Sequence, residues 1–162
     1  MTKEIATLAG GCFWGVEELI RALPGVLNTT VGYTGGKLLN PTYNEVNQGT
    51  TDHAESIEIE FDAEMISFTE ILNFFFKMHN PTTVNQQGND IGTQYRSAIF
   101  YHSEEQKKTA EEVIAEVEAS TKWDCHIVTQ VIAASKFYPA EDYHQDYLKK
   151  NPGGYTCHWV RN

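Results

Sequence analysis

Hydrophobic and polar positions alternate along Ile5-Ala6-Thr7-Leu8-Ala9, the pattern of a short buried strand, and then the period changes. Val16, Leu19, Ile20 and Leu23 recur at helical spacing, so a strand-to-helix turn is expected between them, at Gly11-Cys12-Phe13-Trp14-Gly15. Pro24-Gly25 breaks the chain, residues 26–33 read as a strand, and a glycine-rich loop bearing aromatics runs from 34 to about 52. Ile57, Ile59 and Phe61 alternate with Glu58 and Glu60, a half-buried strand. Ser67 caps a helix carrying Ile71, Leu72 and Phe75. A second long irregular stretch, 79–96, precedes a short strand at 97–101. Ser103 with Gln106 three residues on predicts a capping box for a helix to about Ser120. The alternation over 124–132 predicts another strand, and residues 140–149 a helix. Residues 151–162, beginning Asn151-Pro152-Gly153-Gly154, read as a mobile C-terminal tail.

No repeat or linker interrupts this order, and 162 residues with 41% hydrophobic content suffice for one core. A single catalytic domain over 1–162 is expected. Alternating elements of this kind fit an α+β two-layer sandwich on a mixed sheet, with long functional loops. No run approaches the roughly 18 apolar residues that cross a bilayer, so a cytoplasmic, membrane-free protein is expected. A formal charge of −10 argues against a nucleic-acid partner, which calls for clustered Lys and Arg.

The chemistry centres on Cys12. A thiol at a helix N-terminus faces unpaired N–H groups and partial positive charge, which favour thiolate. Read from this segment alone, Cys12 is equally a nucleophile or a buried structural cysteine. Three cysteines, Cys12, Cys125 and Cys157, cannot close a disulfide framework. Cys125-His126 and Cys157-His158 raise the question of metal, but no C-x-x-C pair exists and adjacent strand residues face opposite sides, so no metal site is expected. Cys125, in the expected strand, reads as an inert core cysteine. The two long loops hold Tyr43, His53, Asn85, Gln87, Asp90, Gln94 and Tyr95, and long loops in a compact domain commonly carry function.

Six segments, in order, resemble those of peptide methionine sulfoxide reductase, type A: Gly11-Cys12-Phe13-Trp14-Gly15, Gly32-Tyr33-Thr34-Gly35-Gly36, Pro41-Thr42-Tyr43, His53-Ala54-Glu55, the run from Gln87 to Ser97, and Ala140-Glu141-Asp142-Tyr143-His144-Gln145. The resemblance spans nearly the whole chain. It implies reduction of the S epimer of methionine sulfoxide, free or in oxidised proteins, without a bound cofactor. It puts the nucleophile on Cys12, the methyl-receiving rings on Phe13 and Trp14, and the proton donor on Glu55. Tyr43, Asp90 and Tyr95 would hold the sulfoxide oxygen and organise water. His53 and His144 match framework positions. A sulfenic acid on Cys12 would be resolved by Cys157, and the disulfide re-reduced by thioredoxin, or by dithiothreitol in vitro. A monomer is expected. Parity supports the acid independently: residues 55, 57 and 59 share one strand face, so Glu55 lies on the apolar side with Ile57 and Ile59. Asp52 departs from the family pattern, where many members carry glycine. A non-catalytic redox-sensing or methionine-binding domain, and a cysteine hydrolase pairing Cys12 with His53, remain open as other readings.

Overall fold

The computed structural model describes residues 1–161; Asn162, the last residue of the expected tail, lies outside the described residues. The chain runs β1 (Lys3–Gly10), α1 (Phe13–Ile20), β2 (Val26–Thr34), α2 (Tyr43–Asn47), β3 (Ala54–Asp62), α3 (Phe68–Met78), β4 (Gln86–Gln87), β5 (Asp90–Ile91), a 3₁₀ turn (Thr93–Tyr95), β6 (Ser97–Tyr101), α4 (Glu104–Ala119), β7 (Gln130–Ala133), β8 (Tyr138–Pro139), a second 3₁₀ turn (Asp142–His144) and α5 (Tyr147–Lys150). Six strands form one mixed sheet in the order β7-β6-β1-β3-β2-β8. All pairs are antiparallel except β6 with β7.

The fold is an α+β two-layer sandwich. Ala6, Leu8, Val31, Tyr33, Ile57, Ile59, Phe61 and Ile99 of the sheet join Val16, Ile20, Ile71, Leu72, Phe75, Ala110 and Val113 of α1, α3 and α4 in one buried cluster. Each fully buried Leu or Ile there contributes about 1.5–3 kcal/mol relative to exposure. The opposite face carries a smaller cluster, Ala9, Ala54, Ala98 and Phe100. Ser67 caps α3 through a reciprocal box with Glu70. Ser103 caps α4 by accepting from Gln106 N, but Gln106 reaches back to His102 N rather than to Ser103, and its amide also donates to the Ile5 carbonyl.

Three expectations need correction. The strand foreseen over 124–132 begins only at Gln130, because its partner β6 starts at Ser97 and the parallel pairing opens at Ala98 opposite Gln130. A strand without a neighbour leaves its backbone groups unpaired. Cys125 therefore lies in irregular chain and is exposed, not a core residue. The helix foreseen over 140–149 is split at Asp146, whose φ of 53° is left-handed. Its amide donates to Glu17 Oε1, and the Gln145 side chain is bound to both backbone groups of Val31, so tertiary bonds replace helical ones. The first long loop contains α2, closed by a capping box between Thr42 and Glu45.

Asp52 has a φ of 64°, a conformation that glycine adopts freely and Asp tolerates better than most residues. The loop geometry thus accommodates the departure at this position.

The tail is irregular, as expected, yet it is docked: the His158 side chain is buried against β1, and Arg161 N donates to the Lys77 carbonyl at 2.8 Å. The Arg161 guanidinium lies over the rings of Trp123 and Trp159. Among the described residues no helix is long and apolar enough to cross a membrane.

Candidate active site

The strand-to-helix turn is built around two glycines. Gly11 takes a φ of 98°, closed to most side chains, and brings β1 sharply into α1. Cys12 then stands at the N-cap of α1 and is buried. The amide of Trp14 faces its sulfur and favours the thiolate, as the helix N-terminus argument holds. Burial and the Glu55 charge act the other way and prevail, lifting the Cys12 pKa well above the usual thiol range. The resting group is a thiol, because burial outweighs the pull of the helix N-terminus toward the thiolate.

Glu55 emerges from β3 beneath the same turn. It is fully buried, and its Oε1 accepts the amide hydrogen of Phe13 at 3.1 Å, capping the first turn of α1. Desolvation pushes its pKa up to about 8, against the lowering effect of the Phe13 amide, with the Asp90 charge adding to the rise. The carboxyl is thus held protonated at neutral pH, bound to the amide of the residue that follows the nucleophile it would serve.

Rings line the space beside this pair. Phe13 packs near Tyr33, Tyr43 and His144, and Trp14 stacks on Tyr147 at 3.8 Å between centroids. The Trp14 indole N–H donates to His144 Nδ1 at 2.9 Å, which fixes the tautomer with hydrogen on Nε2. Glu141 accepts from both the Tyr33 hydroxyl and the Tyr43 amide, holding α2 against β2. Burial, then the Glu55 charge, pushes Tyr43 up to about 12 and Tyr95 higher, so both phenols are neutral donors. The Tyr95 hydroxyl donates to Asn47 Oδ1 at 3.1 Å.

Asp90 comes from the short β4–β5 hairpin, and its Oδ2 takes the Tyr155 hydroxyl at 3.3 Å. The same oxygen lies 3.9 Å from Cys157 Sγ, which also lies 3.8 Å from the Gln87 carbonyl. Burial, then the Asp90 charge, raises the Cys157 thiol. A charge on Cys157 also opposes ionisation of Cys12, so the two sulfurs share one electrostatic environment.

The structure therefore gathers Cys12, Phe13, Trp14, Tyr43, Glu55, Asp90, Tyr95 and Cys157 around one turn, and leaves Cys125 outside. His53 is committed elsewhere: its Nδ1 accepts from Gly36 N and its Nε2 donates to the Leu38 carbonyl. With no lone pair to spare, it cannot activate a thiol, which removes the hydrolase reading. Sequence reasoning gave Glu141, Tyr147 and His158 no role at this site, because their neighbours are far apart along the chain. Gly15, within α1, was a usable sign, since a residue without a Cβ lets another segment approach the helix closely. No grouping of three or more His, Cys, Asp or Glu suited to one metal ion occurs among the described residues.

Gly15 makes room for the tail: a Cβ there would lie 2.3 Å from His158 Nδ1 and 2.4 Å from Thr156 Oγ1. Gly15→Ala is expected to lift the tail, speeding alkylation of Cys157 and costing about 1–3 kcal/mol of stability by overpacking. Iodoacetamide labelling followed by peptide mass mapping, with denaturant unfolding, checks both; unchanged labelling would mean the tail yields without leaving the turn.

The sequence profile of the family described as "Peptide methionine sulfoxide reductase" matches residues 4–162. Peptide methionine sulfoxide reductase MsrA 1 of Mesorhizobium japonicum is 57% identical over 160 residues, covering 99% of this chain and 91% of its own. Mxr1 from Saccharomyces cerevisiae in reduced form superposes with a TM-score of 0.92 at 39% identity, covering 99% of this chain and 93% of that one. The same yeast protein in complex with Trx2 matches with a TM-score of 0.67 at 27% identity, covering 99% and 91%. A match spanning all but the first three residues, with more than half the positions identical in a relative of similar length, means that this chain belongs to the peptide methionine sulfoxide reductase family.

Proposed function

We propose that the chain reduces methionine S-sulfoxide, free or within oxidised proteins, with Cys12 as nucleophile and Glu55 as acid. The observation that carries this reading is the capping bond from Phe13 N to Glu55, which ties a buried, protonated carboxyl to the residue next to a buried thiol, with the rings of Phe13, Tyr43 and His144 packed beside them. A sulfoxide offers an electrophilic sulfur, a basic oxygen and one small methyl group. The slot of Phe13 and Trp14 suits the methyl, since ring faces and edges attract sulfur and its polarised substituents. Glu55 gives its proton to the oxygen as Cys12 attacks the sulfur. The thiol proton replaces it on Glu55, so the resting thiol is no obstacle: it ionises only as the oxygen gains positive character. Tyr43, and Tyr95 once its hydroxyl turns from Asn47, supply neutral donors to the oxygen, and Asp90 organises the wall between the site and the tail.

Oxygen passes to Cys12 as a sulfenic acid and methionine leaves. Cys157 then attacks, forming a Cys12–Cys157 disulfide and water, and a dithiol of the thioredoxin class restores both thiols. The Trx2 complex of the yeast relative supports that choice of reductant. No bound cofactor is required. All three cysteines stand free in the fold, which suits a reducing compartment, and we place the enzyme in the cytoplasm as a monomer. Cys125 has no part in the cycle.

Racemic N-acetyl-methionine sulfoxide, with dithiothreitol in excess, tests the reading by chiral chromatography. Consumption is expected to stop at about half, with the S epimer gone and the R epimer intact. Consumption of both epimers, or of neither by folded protein, would refute it.

A further inference from the structure

The Cys157 thiol is buried enough to resist ionisation, yet only a thiolate attacks a sulfenic acid at a useful rate. A base is needed at its sulfur, and the Gln87 carbonyl, 3.8 Å away, is too weak a base to take the proton. His158 is the next residue along the chain, and its Nδ1 lies 3.9 Å from Cys157 Sγ.

The tautomer of this ring is set by its surroundings. His158 Nε2 lies 2.7 Å from the Gly10 carbonyl oxygen, which can only accept, so Nε2 carries the hydrogen and Nδ1 is the bare nitrogen. The ring is 7% exposed and seated on the nucleophile's own turn. Added side chains at Gly11 and Gly15 would collide with its two nitrogens, at 3.2 Å and 2.3 Å. Gly10 is two residues before Cys12, so the anchor ties the resolving thiol and its neighbour to the site of the sulfenic acid.

We propose that His158 is the base that takes the proton from Cys157 as its sulfur attacks the sulfenic acid of Cys12. The inference rests on the reading of Cys157 as the resolving thiol. The S–S bond forms as the S–O bond breaks, and the oxygen leaves as water with the proton that Cys157 yields through the imidazole. Cys157 is oxidised by as much as the sulfenic sulfur is reduced, so the step needs no outside reagent. Burial keeps the imidazole neutral, its pKa down at about 4, so the lone pair stays available at physiological pH. The rival acceptor is Asp90 Oδ2, also 3.9 Å from the sulfur, but that oxygen already receives the Tyr155 hydroxyl and its charge opposes formation of a thiolate.

The test is a single turnover without reductant, following methionine by rapid quench and disulfide by loss of titratable thiols. His158→Gln keeps an amide donor able to reach the Gly10 carbonyl but has no ring base. It is expected to release methionine at the wild-type rate and to form disulfide on the order of 100-fold more slowly, with the sulfenic acid trapped by dimedone. His158→Ala should behave alike and regain speed with added imidazole, which also serves if the Gln variant folds poorly. Thr156→Ala removes the hydroxyl that accepts from His158 N and loosens the same turn without touching the ring; it should form disulfide at the wild-type rate. Disulfide formation at full speed in His158→Gln, equal slowing in Thr156→Ala, or slowing only in Asp90→Asn would overturn the assignment. Disulfide that still forms in Cys157→Ser would instead overturn the reading of Cys157 itself.

Discussion

Cys12→Ser is expected to abolish methionine formation outright, while Cys157→Ser still yields a single methionine per enzyme molecule and then stalls. The two sulfurs sit in one electrostatic environment but face different partners, Cys12 beside Glu55 and the Phe13–Trp14 rings, Cys157 beside the Asp90 hairpin and His158. A serine hydroxyl is far less nucleophilic than a thiolate and cannot carry oxygen as a sulfenic acid, so no step of reduction survives at position 12. At position 157 the same change leaves the reducing half intact and removes only the exit from the sulfenic acid. Methionine counted per enzyme, first without reductant and then with thioredoxin and its recycling system, separates the two. Sustained thioredoxin-driven turnover by Cys157→Ser would exclude it as the resolving thiol, and residual reduction by Cys12→Ser would exclude the nucleophile.

Glu55→Gln is expected to lower the rate of methionine release by roughly three orders of magnitude while making the protein more stable at neutral and alkaline pH. Glutamine can still accept the Phe13 amide and cap α1, so the turn should survive; what is lost is the proton for the sulfoxide oxygen. The pH profile of the wild type follows from the same group. Burial sets its pKa at about 8, against 4.5 for an ordinary glutamate, so the acid form predominates at neutrality and reduction should fall as pH rises through about 8. The sign for stability is worked from linkage: between these values the native state holds a proton that the unfolded state has released. The stability tied to the carboxyl is complete below about 4.5 and is lost as pH climbs to 8. At pH 7 the loss is on the order of 3 kcal/mol, and glutamine, which never ionises, escapes it. Rapid-quench rates from pH 6 to 10, with denaturant unfolding at the same pH values, check both halves. A variant with wild-type rate, or one less stable than wild type at pH 9, would remove Glu55 from the acid's position.

How much of this was legible beforehand differs from residue to residue. Apolar spacing located β1, α1 and β3, and spacing together with cap and chain-break residues located β2, α3, β6 and α4, because each buries one face and ends at a recognisable signal. Parity placed Glu55 on the side of Ile57 and Ile59, and all three are buried. The alternation around Cys125 looked the same but had no neighbouring strand to pair with, and alternation cannot report where a partner begins. Residues 140–149 carried helical spacing, yet the side chains of Glu17 and Gln145 drew the backbone out of a helix. The tail's glycines read as freedom, whereas His158 and Arg161 dock it.

The sequence by itself determined the nucleophile's turn, the aromatic pair beside it, the acid's face and the family to which the chain belongs, because these depend on residue types at short spacing. Only the tertiary structure decided that Cys12 rests as a thiol, that Glu55 is a protonated acid, that His53 has no lone pair to lend and that His158 stands at Cys157. Each of these depends on desolvation or on hydrogen bonds between segments that meet only when β1, β3, the β4–β5 hairpin and the tail converge.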